Sequence, residues 1–174
     1  MNCISLSGKI GSGKSSLSSQ ISELTGMPKV SFGDYVRYLA KKTGRDPGDR
    51  STLQDIGEEL VSGDIVGFCW AVLGQSVHPI ENGRVIDGVR HVAVLNCLRS
   101  IILPSQLIHF HIEVDSAVLE QRLKIRGEEK INLSHSTEVD VVERLSQNAD
   151  YVLDGSRTIE ALSADIRGIL SKAN

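Results

Sequence analysis

A glycine-rich segment directly after the first apolar run limits what this chain can fold into more than any other feature. Residues 8–15 read GKIGSGKS, with glycines at positions 8, 11 and 13 before a lysine and a serine. Because glycine lacks a Cβ, consecutive backbone N–H groups can turn inward around one anion. The spacing predicts a strand that ends at a phosphate-binding loop, followed by a helix whose N-terminus faces the same anion.

The chemistry of this phosphate loop (residues 8–15) predicts a nucleoside triphosphate as ligand. Lys14 is expected to reach the β- and γ-phosphates as a catalytic residue, and the hydroxyl of Ser15 is expected to ligate Mg²⁺. ATP and Mg²⁺ are therefore the expected donor and cofactor. The predicted ATP-binding residues here are Gly8, Lys9, Ile10, Gly11, Ser12, Gly13, Lys14, Ser15 and Ser16.

Short apolar runs alternate with helical patterns along the whole chain. The runs are residues 3–6, 30–32, 85–87, 107–114 and 151–153. Strand–helix alternation predicts an α/β protein with three α/β/α layers around a five-stranded parallel sheet. Two helical segments, 51–62 and 64–77, stand where one crossover helix would suffice, so we expect a helical insertion over the carboxyl edge of the sheet.

Turn and cap residues agree with this pattern. Gly26, with Pro28 two positions later, is expected to end the first helix as a C-terminal glycine. Asp49 or Ser51 can cap the helix that follows the turn at residues 45–49. These signals place the predicted helix boundaries next to the predicted strands.

Composition and charge exclude several classes of protein. The 174 residues suit one domain, and 40% hydrophobic with 24% charged residues excludes disordered and collagen-like chains. A net charge of −3 disfavours bulk nucleic-acid binding. The chain has neither an apolar stretch of membrane-spanning length nor a visible leader, so we expect a soluble, cytoplasmic protein without a membrane partner. No pattern indicates an oligomeric state.

The remaining candidate ligands show no functional spacing. Cys3, Cys69 and Cys97 are odd in number and widely separated, which favours free thiols over disulfides or a zinc site. Among the five histidines, only the pair at 109 and 111 shares a strand face, and we expect packing roles for all five. Trp70 is expected to belong to the core.

Two further segments place charged residues after the second and third apolar runs. Residues 31–37 read SFGDYVR and residues 85–90 read VIDGVR. Because ligands bind outside the carboxyl ends of parallel strands, both segments should face the crevice of the phosphate loop. Asp87 is suited to holding Mg²⁺, directly or through water, and Arg37 and Arg90 are suited to a second phosphate.

Local charge supports an anionic second substrate. Residues 29–50 contain six cations and three anions, a net charge of +3 in a chain of −3, which leaves −6 for the remainder. A basic region in an acidic protein concentrates anionic ligands. Its cations are Lys29, Arg37, Lys41, Lys42, Arg45 and Arg50.

In order and spacing, these motifs resemble the nucleoside monophosphate kinase branch of the P-loop kinases. GKIGSGKS is similar to their phosphate loop, SFGDYVR to their acceptor motif GD..R, and VIDGVR to their DG..R. Two other segments are similar to parts of adenylate kinases: 59–66 to the acceptor domain and 119–127 to the helix before the lid. Residues 149–156 are similar to a segment of dephospho-CoA kinases, and residues 50–57 to a segment of phage-type deoxynucleotide kinases.

The resemblance implies roles for individual residues. Asp34, Arg37 and Arg90 would bind the acceptor, with Asp34 also a catalytic candidate, and Asp87 would position Mg²⁺ through water. Arg122 would lie against the base of the donor nucleotide. Arg126 would be catalytic and would contact the transferring phosphoryl group.

The resemblance also implies a single kinase domain over residues 1–174. Its core would be 1–33, 83–126 and 138–174, with an acceptor-binding insertion at about 34–78 and a short lid at about 127–137. The lid segment contains no arginine, so Arg144 or Arg157 would have to substitute. A DAD motif, expected of dephospho-CoA kinases after the second strand, is absent.

Three functions stay open at this level. We favour ATP-dependent phosphoryl transfer to a small phosphorylated metabolite, a nucleoside monophosphate, because an ionised phosphate acceptor needs no general base. The alternative enzyme phosphorylates a hydroxyl, as dephospho-CoA kinases do, with Asp34 as the base. The third is a non-catalytic nucleotide switch or an ATPase, which the acceptor-side arginines disfavour because a switch holds no second phosphate.

Overall fold

A computed structural model describes residues 2–125, 127 and 144–172 of the chain. Five strands form one sheet in the order β2-β3-β1-β4-β5, and all neighbouring strands are parallel. The five predicted apolar runs are therefore the five strands. They are β1 Cys3–Gly8, β2 Lys29–Ser31, β3 Val85–Asp87, β4 Leu107–Glu113 and β5 Tyr151–Asp154.

Helices cover both faces of the sheet. They are α1 Lys14–Thr25, α2 Phe32–Lys42, α3 Arg50–Leu73, α4 Val92–Ile101, α5 Ser116–Ile125 and α6 Ile159–Lys172, with a short 3₁₀ helix at Ile80–Asn82. Alternate strand residues enter two separate apolar cores: Leu6 packs with α1 and α6, whereas Cys3 and Ile86 pack with α2, α3 and α4. The predicted three-layer α/β fold is confirmed. None of the described helices is long and apolar enough to cross a membrane.

The predicted caps are present at the helix ends. Gly26 ends α1 with a φ of 70°, and its N–H donates to the Ser22 carbonyl at 2.9 Å. Asp49, rather than Ser51, caps α3 by accepting from the Thr52 N–H at 2.9 Å. Local turn chemistry was sufficient to find these boundaries because each cap bonds within four residues of itself.

Helix α3 contains the two predicted segments, which meet at a kink. It is continuous from Arg50 to Leu73 except at Asp64, where φ is −147° and ψ is 81°. The Asp64 carboxylate accepts from the Gly67 N–H at 2.8 Å and so caps the second half as a new N-terminus. The predicted end at residue 77 is wrong, because the helix stops at Leu73 and Gly74 follows as its C-terminal cap.

The expected core position of Trp70 is also wrong. Its side chain is 49% exposed, although Phe68 and Cys69 beside it are buried. Phe68, Cys69, Val72 and Leu73 occupy the stripe of α3 that faces the sheet, and Trp70 falls on the solvent side of that stripe.

Candidate functional site

The phosphate loop has the geometry of an anion site. A Cβ at Gly8, where φ is 151°, would lie 2.8 Å from both the Ile112 carbonyl oxygen and Ser12 Oγ. Gly13, with a φ of 89°, is the N-cap of α1, and no described side chain caps that end. The uncapped N–H groups and the helix dipole therefore point out of the loop, where they can bind a phosphate.

A cavity of about 410 Å³ extends from the phosphate loop over the ends of β2 and β3, and we call it the cleft. It brings together all three predicted segments: the phosphate loop, Asp34 with Arg37, and Asp87 with Arg90. Ten predicted site residues line it: Ile10, Gly11, Gly13, Lys14, Ser15, Ser16, Asp34, Arg37, Asp87 and Arg90. Gly8, Lys9, Ser12 and Arg122 lie outside the lining. The roles of all these residues stay predictions.

Cations dominate the charged residues of the cleft. Five cations against two carboxylates, Asp34 and Asp87, give the lining a net charge of +3. The cations are Lys14, Lys29, Arg37, Arg50 and Arg90. A cleft with this balance can hold two anionic ligands side by side, since each needs several cationic or N–H donors.

Asp87 ends β3 almost completely buried, at 4% exposure. Its Oδ2 lies 3.9 Å from Lys29 Nζ, and within the described part of the chain its buried Oδ1 has no hydrogen-bond partner. Buried carboxylate oxygens without a partner are costly unless a ligand satisfies them. Because carboxylate and hydroxyl oxygens suit a hard cation, Asp87 and Ser15 in the same cleft fit Mg²⁺.

Arg122 connects the phosphate loop to the segment after β5. Its guanidinium donates to the Gly155 carbonyl at 3.0 Å and to the Gly11 carbonyl at 3.5 Å. This places a planar cation beside the loop, as the predicted contact with the donor base requires. Arg126 and residues 128–137 of the predicted lid lie outside the described residues.

Neither substitute for the lid arginines is placed in the cleft. Arg157 forms an ion pair with Asp165 of α6 and does not line the cavity. Arg144, at the start of the last described range, does not line it either. The substitution by one of these two residues stays a prediction.

Comparison with known proteins supports the architecture. No protein-family model and no curated protein matches the chain. A gluconokinase from Sinorhizobium meliloti 1021 is similar in structure, with a TM-score of 0.64, 17% identity and coverage of 99% of this chain and 93% of that chain. It has the P-loop kinase fold.

Two shikimate kinases show the same fold. The one from Aquifex aeolicus vf5 has a TM-score of 0.62 at 19% identity, covering 97% of this chain and 95% of its own. The one from Acinetobacter baumannii, solved in complex with shikimate, has a TM-score of 0.64 at 12% identity, covering 100% and 95%. The expected resemblance to P-loop kinases is thus confirmed for the fold.

Two cleft residues of this P-loop kinase fold, Gln54 and Phe68, were not predicted from the sequence, and Arg50 was expected only as part of the basic region. Arg50 and Gln54 line the cleft one turn apart on α3, and Phe68 lines it from beyond the Asp64 kink. The four-residue spacing of Arg50 and Gln54 was a usable signal, since such residues share a helix face. No local signal places Phe68 there, because its position depends on the kink.

Gln75 was also missed, although it holds the end of strand β2. Its side-chain amide donates to the Ser31 carbonyl at 2.9 Å and accepts from the Ser31 N–H at 3.3 Å. Strand β2 is an edge of the sheet, so these bonds replace those of an absent neighbouring strand. Gln75 thereby fixes the point at which α2 and its Asp34 begin.

A buried polar network connects β1 and β4 next to the phosphate loop. Ser5 Oγ lies 2.7 Å from His109 Nδ1, and Ser7 Oγ lies 2.9 Å from His109 Nε2 and 2.8 Å from His111 Nδ1. The pKa of His109 is lowered from 6.5 to about 3, mainly by burial and further by the charges of His111 and Arg99. Burial is also the main cause that lowers the pKa of His111. The packing role expected of this pair is confirmed.

The described residues contain no group of three His, Cys, Asp or Glu side chains that could hold a metal ion by themselves. The three cysteines are free thiols, as expected, with Cys3 and Cys69 buried.

Proposed function

We propose that this chain is an ATP-dependent kinase whose acceptor is a small phosphorylated metabolite, a nucleoside monophosphate. One observation carries the proposal: a single cleft joins the uncapped phosphate loop to arginines from three separate segments, Arg37, Arg50 and Arg90. A protein that only bound or hydrolysed ATP would not need this second group of cationic side chains.

The donor half of the cleft is supplied by the phosphate loop and β3. The N–H groups of the loop and the Lys14 ammonium would hold the β- and γ-phosphates of ATP. The hydroxyl of Ser15 and Oδ1 of Asp87 would hold Mg²⁺. When bound, Mg²⁺ neutralises charge on the phosphate oxygens during transfer. Arg122, held against the Gly11 and Gly155 carbonyls, would lie beside the donor base.

The acceptor half combines arginines with an aromatic wall. Guanidinium groups bind phosphate oxygens through paired N–H donors, which fixes the acceptor's orientation as well as its charge. Phe32 and Phe68 line the cleft edge to face, with ring centroids 5.0 Å apart, and give a planar base an apolar surface. Because the acceptor phosphate is ionised near neutral pH, positioning and charge neutralisation can drive the transfer without a base.

A hydroxyl acceptor is the second candidate, and one observation favours it. Asp34 lines the cleft with a largely exposed carboxylate that could accept a proton, although one of its oxygens is bonded to Arg37 at 2.9 Å. A gluconokinase and two shikimate kinases are among the similar solved structures, and their named acceptors are hydroxy acids. In this case Asp34 would act as a general base.

The test is acceptor-dependent ADP formation. The chain is incubated with MgATP and, separately, with ribonucleoside and deoxyribonucleoside monophosphates, dephospho-CoA, gluconate and shikimate, with the Lys14→Ala variant as the control for contaminating kinases. Stimulation by a nucleoside monophosphate, with the matching diphosphate as product, supports the proposal. Stimulation by hydroxyl acceptors alone would contradict the phosphate acceptor and support the second candidate function. ADP formation that no acceptor changes would identify an ATPase.

A further inference from the structure

Lys29, the first residue of β2, contacts both elements that carry the proposed metal ligands. Its ammonium donates to the Ser15 carbonyl at 3.3 Å and to Ser19 Oγ at 3.0 Å, both on α1. On its other side it lies 3.9 Å from Oδ2 of Asp87 on β3. The side chain is 26% exposed and lines the cleft. One cation thus links the first turns of α1 to the end of β3.

The atoms that Lys29 engages are not the ones expected to ligate the metal. It uses the carbonyl of Ser15 and Oδ2 of Asp87, whereas the Ser15 hydroxyl and Asp87 Oδ1 are the candidate ligands. An ammonium 3.9 Å from Oδ2 can restrain rotation of the Asp87 carboxylate and so favour the buried position of Oδ1, which has no hydrogen-bond partner among the described residues. The bonds to Ser15 and Ser19 connect the start of α1 to the same ammonium.

We propose that Lys29 is a positioning residue of the Mg²⁺ site, which sets the relative position of the Ser15 hydroxyl and the Asp87 carboxylate before metal and nucleotide bind. The inference rests on the proposed function only in taking MgATP as the donor. Groups that orient the ligands of a metal commonly matter almost as much as the ligands, and their loss costs about 10–100-fold in metal affinity. The ammonium also repels a nearby cation, so the orienting effect has to exceed this repulsion.

Calorimetric binding of a non-hydrolysable ATP analogue, with Mg²⁺ and with EDTA, separates the metal contribution from that of the phosphates. In Lys29→Met we expect the Mg²⁺-dependent gain in affinity to fall about tenfold, the lower end of the range for such residues, with little change in EDTA. Lys29→Arg retains a cation that can reach Asp87 and should restore most of the gain. Lys172→Met, an exposed lysine at the end of α6, is the matched control.

A second measurement reports the metal directly. Mn²⁺ is paramagnetic, and the fraction bound in the presence of the analogue can be read from its electron paramagnetic resonance signal. We expect Lys29→Met to need more Mn²⁺ for half-saturation than the unmodified chain. Ser19→Ala removes the 3.0 Å bond but keeps the charge, so it should shift in the same direction by a smaller factor, even if Lys29→Met folds poorly.

The possible outcomes separate this inference from the proposed function. Equal losses with Mg²⁺ and with EDTA would assign Lys29 to phosphate binding and overturn the inference, as would tighter metal binding in Lys29→Met. An unmodified chain that binds the analogue equally with and without Mg²⁺ would overturn the inference and the MgATP donor together. A normal metal gain in the unmodified chain that Lys29→Met and Ser19→Ala leave unchanged would overturn the inference alone.

Discussion

The Asp34 carboxylate lies 2.9 Å from the Arg37 guanidinium on the first turns of α2, and both side chains are more than half exposed in the cleft. Ser31 caps this helix by accepting from the Asp34 N–H at 3.2 Å, so the pair begins where β2 ends. The proposed acceptor-binding cation and the candidate base are therefore direct neighbours. The two acceptor chemistries make opposite demands on this pair.

Replacing Asp34 by asparagine distinguishes the two chemistries. With a phosphate acceptor the side chain only orients Arg37, and we expect turnover to fall by less than about tenfold. With a hydroxyl acceptor Asp34 would take the proton, and loss of a general base costs about 10²–10⁴-fold. Steady-state turnover of Asp34→Asn, with the best acceptor from the screen, decides between them.

Arg37→Ala and Arg90→Ala should weaken acceptor binding selectively. Each removes a charge-assisted contact of about 1.5–3 kcal/mol, which raises the acceptor KM by about tenfold or more while the ATP KM changes little. Arg45→Ala is the matched control, because Arg45 belongs to the same basic region but pairs with Glu59 at 3.2 Å outside the cleft. Equal effects on both substrates would contradict acceptor binding by these arginines.

Lys14→Ala should lower turnover by about 10²–10³-fold, the usual cost of removing a donor to developing charge. The fold should survive, because Lys14 lines the cleft and its bond to the Lys9 carbonyl, at 3.2 Å, is only partly buried. Turnover and the thermal midpoint are compared with those of Lys124→Ala, an exposed lysine of α5. Unchanged turnover would show that Lys14 has no catalytic role.

Ser15→Ala should weaken ATP binding in Mg²⁺ more than in EDTA, because the lost hydroxyl is the proposed metal ligand. Ser15→Thr keeps the hydroxyl and should restore the Mg²⁺-dependent part. Binding is followed by calorimetry under both conditions. If both affinities decrease by the same factor, the hydroxyl serves the phosphates or the loop conformation instead.

Gly8→Ala and Gly168→Ala should change stability in opposite directions. At Gly8 a Cβ meets two oxygens at 2.8 Å and the φ is 151°, and strain of this kind costs about 1–3 kcal/mol before any clash is counted. At Gly168, inside α6, a Cβ meets nothing within 4 Å, so alanine should stabilise the helix by about 0.5–1 kcal/mol. Urea denaturation gives both free energies of unfolding. A neutral Gly8→Ala would show that the loop can move away from Ile112.

Acid should destabilise the fold through the buried histidines. The pKa of His109 is about 3 in the folded chain against an ordinary 6.5, so between these values the unfolded chain binds the proton and the folded chain does not. Stability is therefore retained above pH 6.5 and falls as the pH drops towards 3, by at most about 1.4 kcal/mol per pH unit for each such histidine. His109→Gln should reduce this slope between pH 6 and 4, measured by urea denaturation.

The control for this prediction is His78→Gln, since His78 is exposed. This variant should keep the slope of the unmodified chain. A His109→Gln variant with the full slope would show that other groups take up the protons on unfolding.

The sequence by itself determined the phosphate loop, the five strands, the cap of α1 at Gly26 and the start of α3 near Asp49. These features depend on interactions within a few residues: glycine conformations, alternation of apolar residues, and side chains such as Asp49 that bond to the backbone three positions away. The same reasoning correctly predicted that Asp34 and Asp87 would share one cleft, because parallel strands bring their carboxyl ends to the same edge.

Only the tertiary structure decided which distant side chains meet. The hydrogen bonds of Lys29 to Ser15, of Gln75 to Ser31 and of His109 to Ser5, together with the ion pair of Lys29 and Asp87, join residues 14 to 104 positions apart. Such contacts depend on strand order, register and the kink in α3, which arise when both faces of the sheet are buried together. No pattern within one segment encodes these distances, because each partner's position is set by a different part of the core.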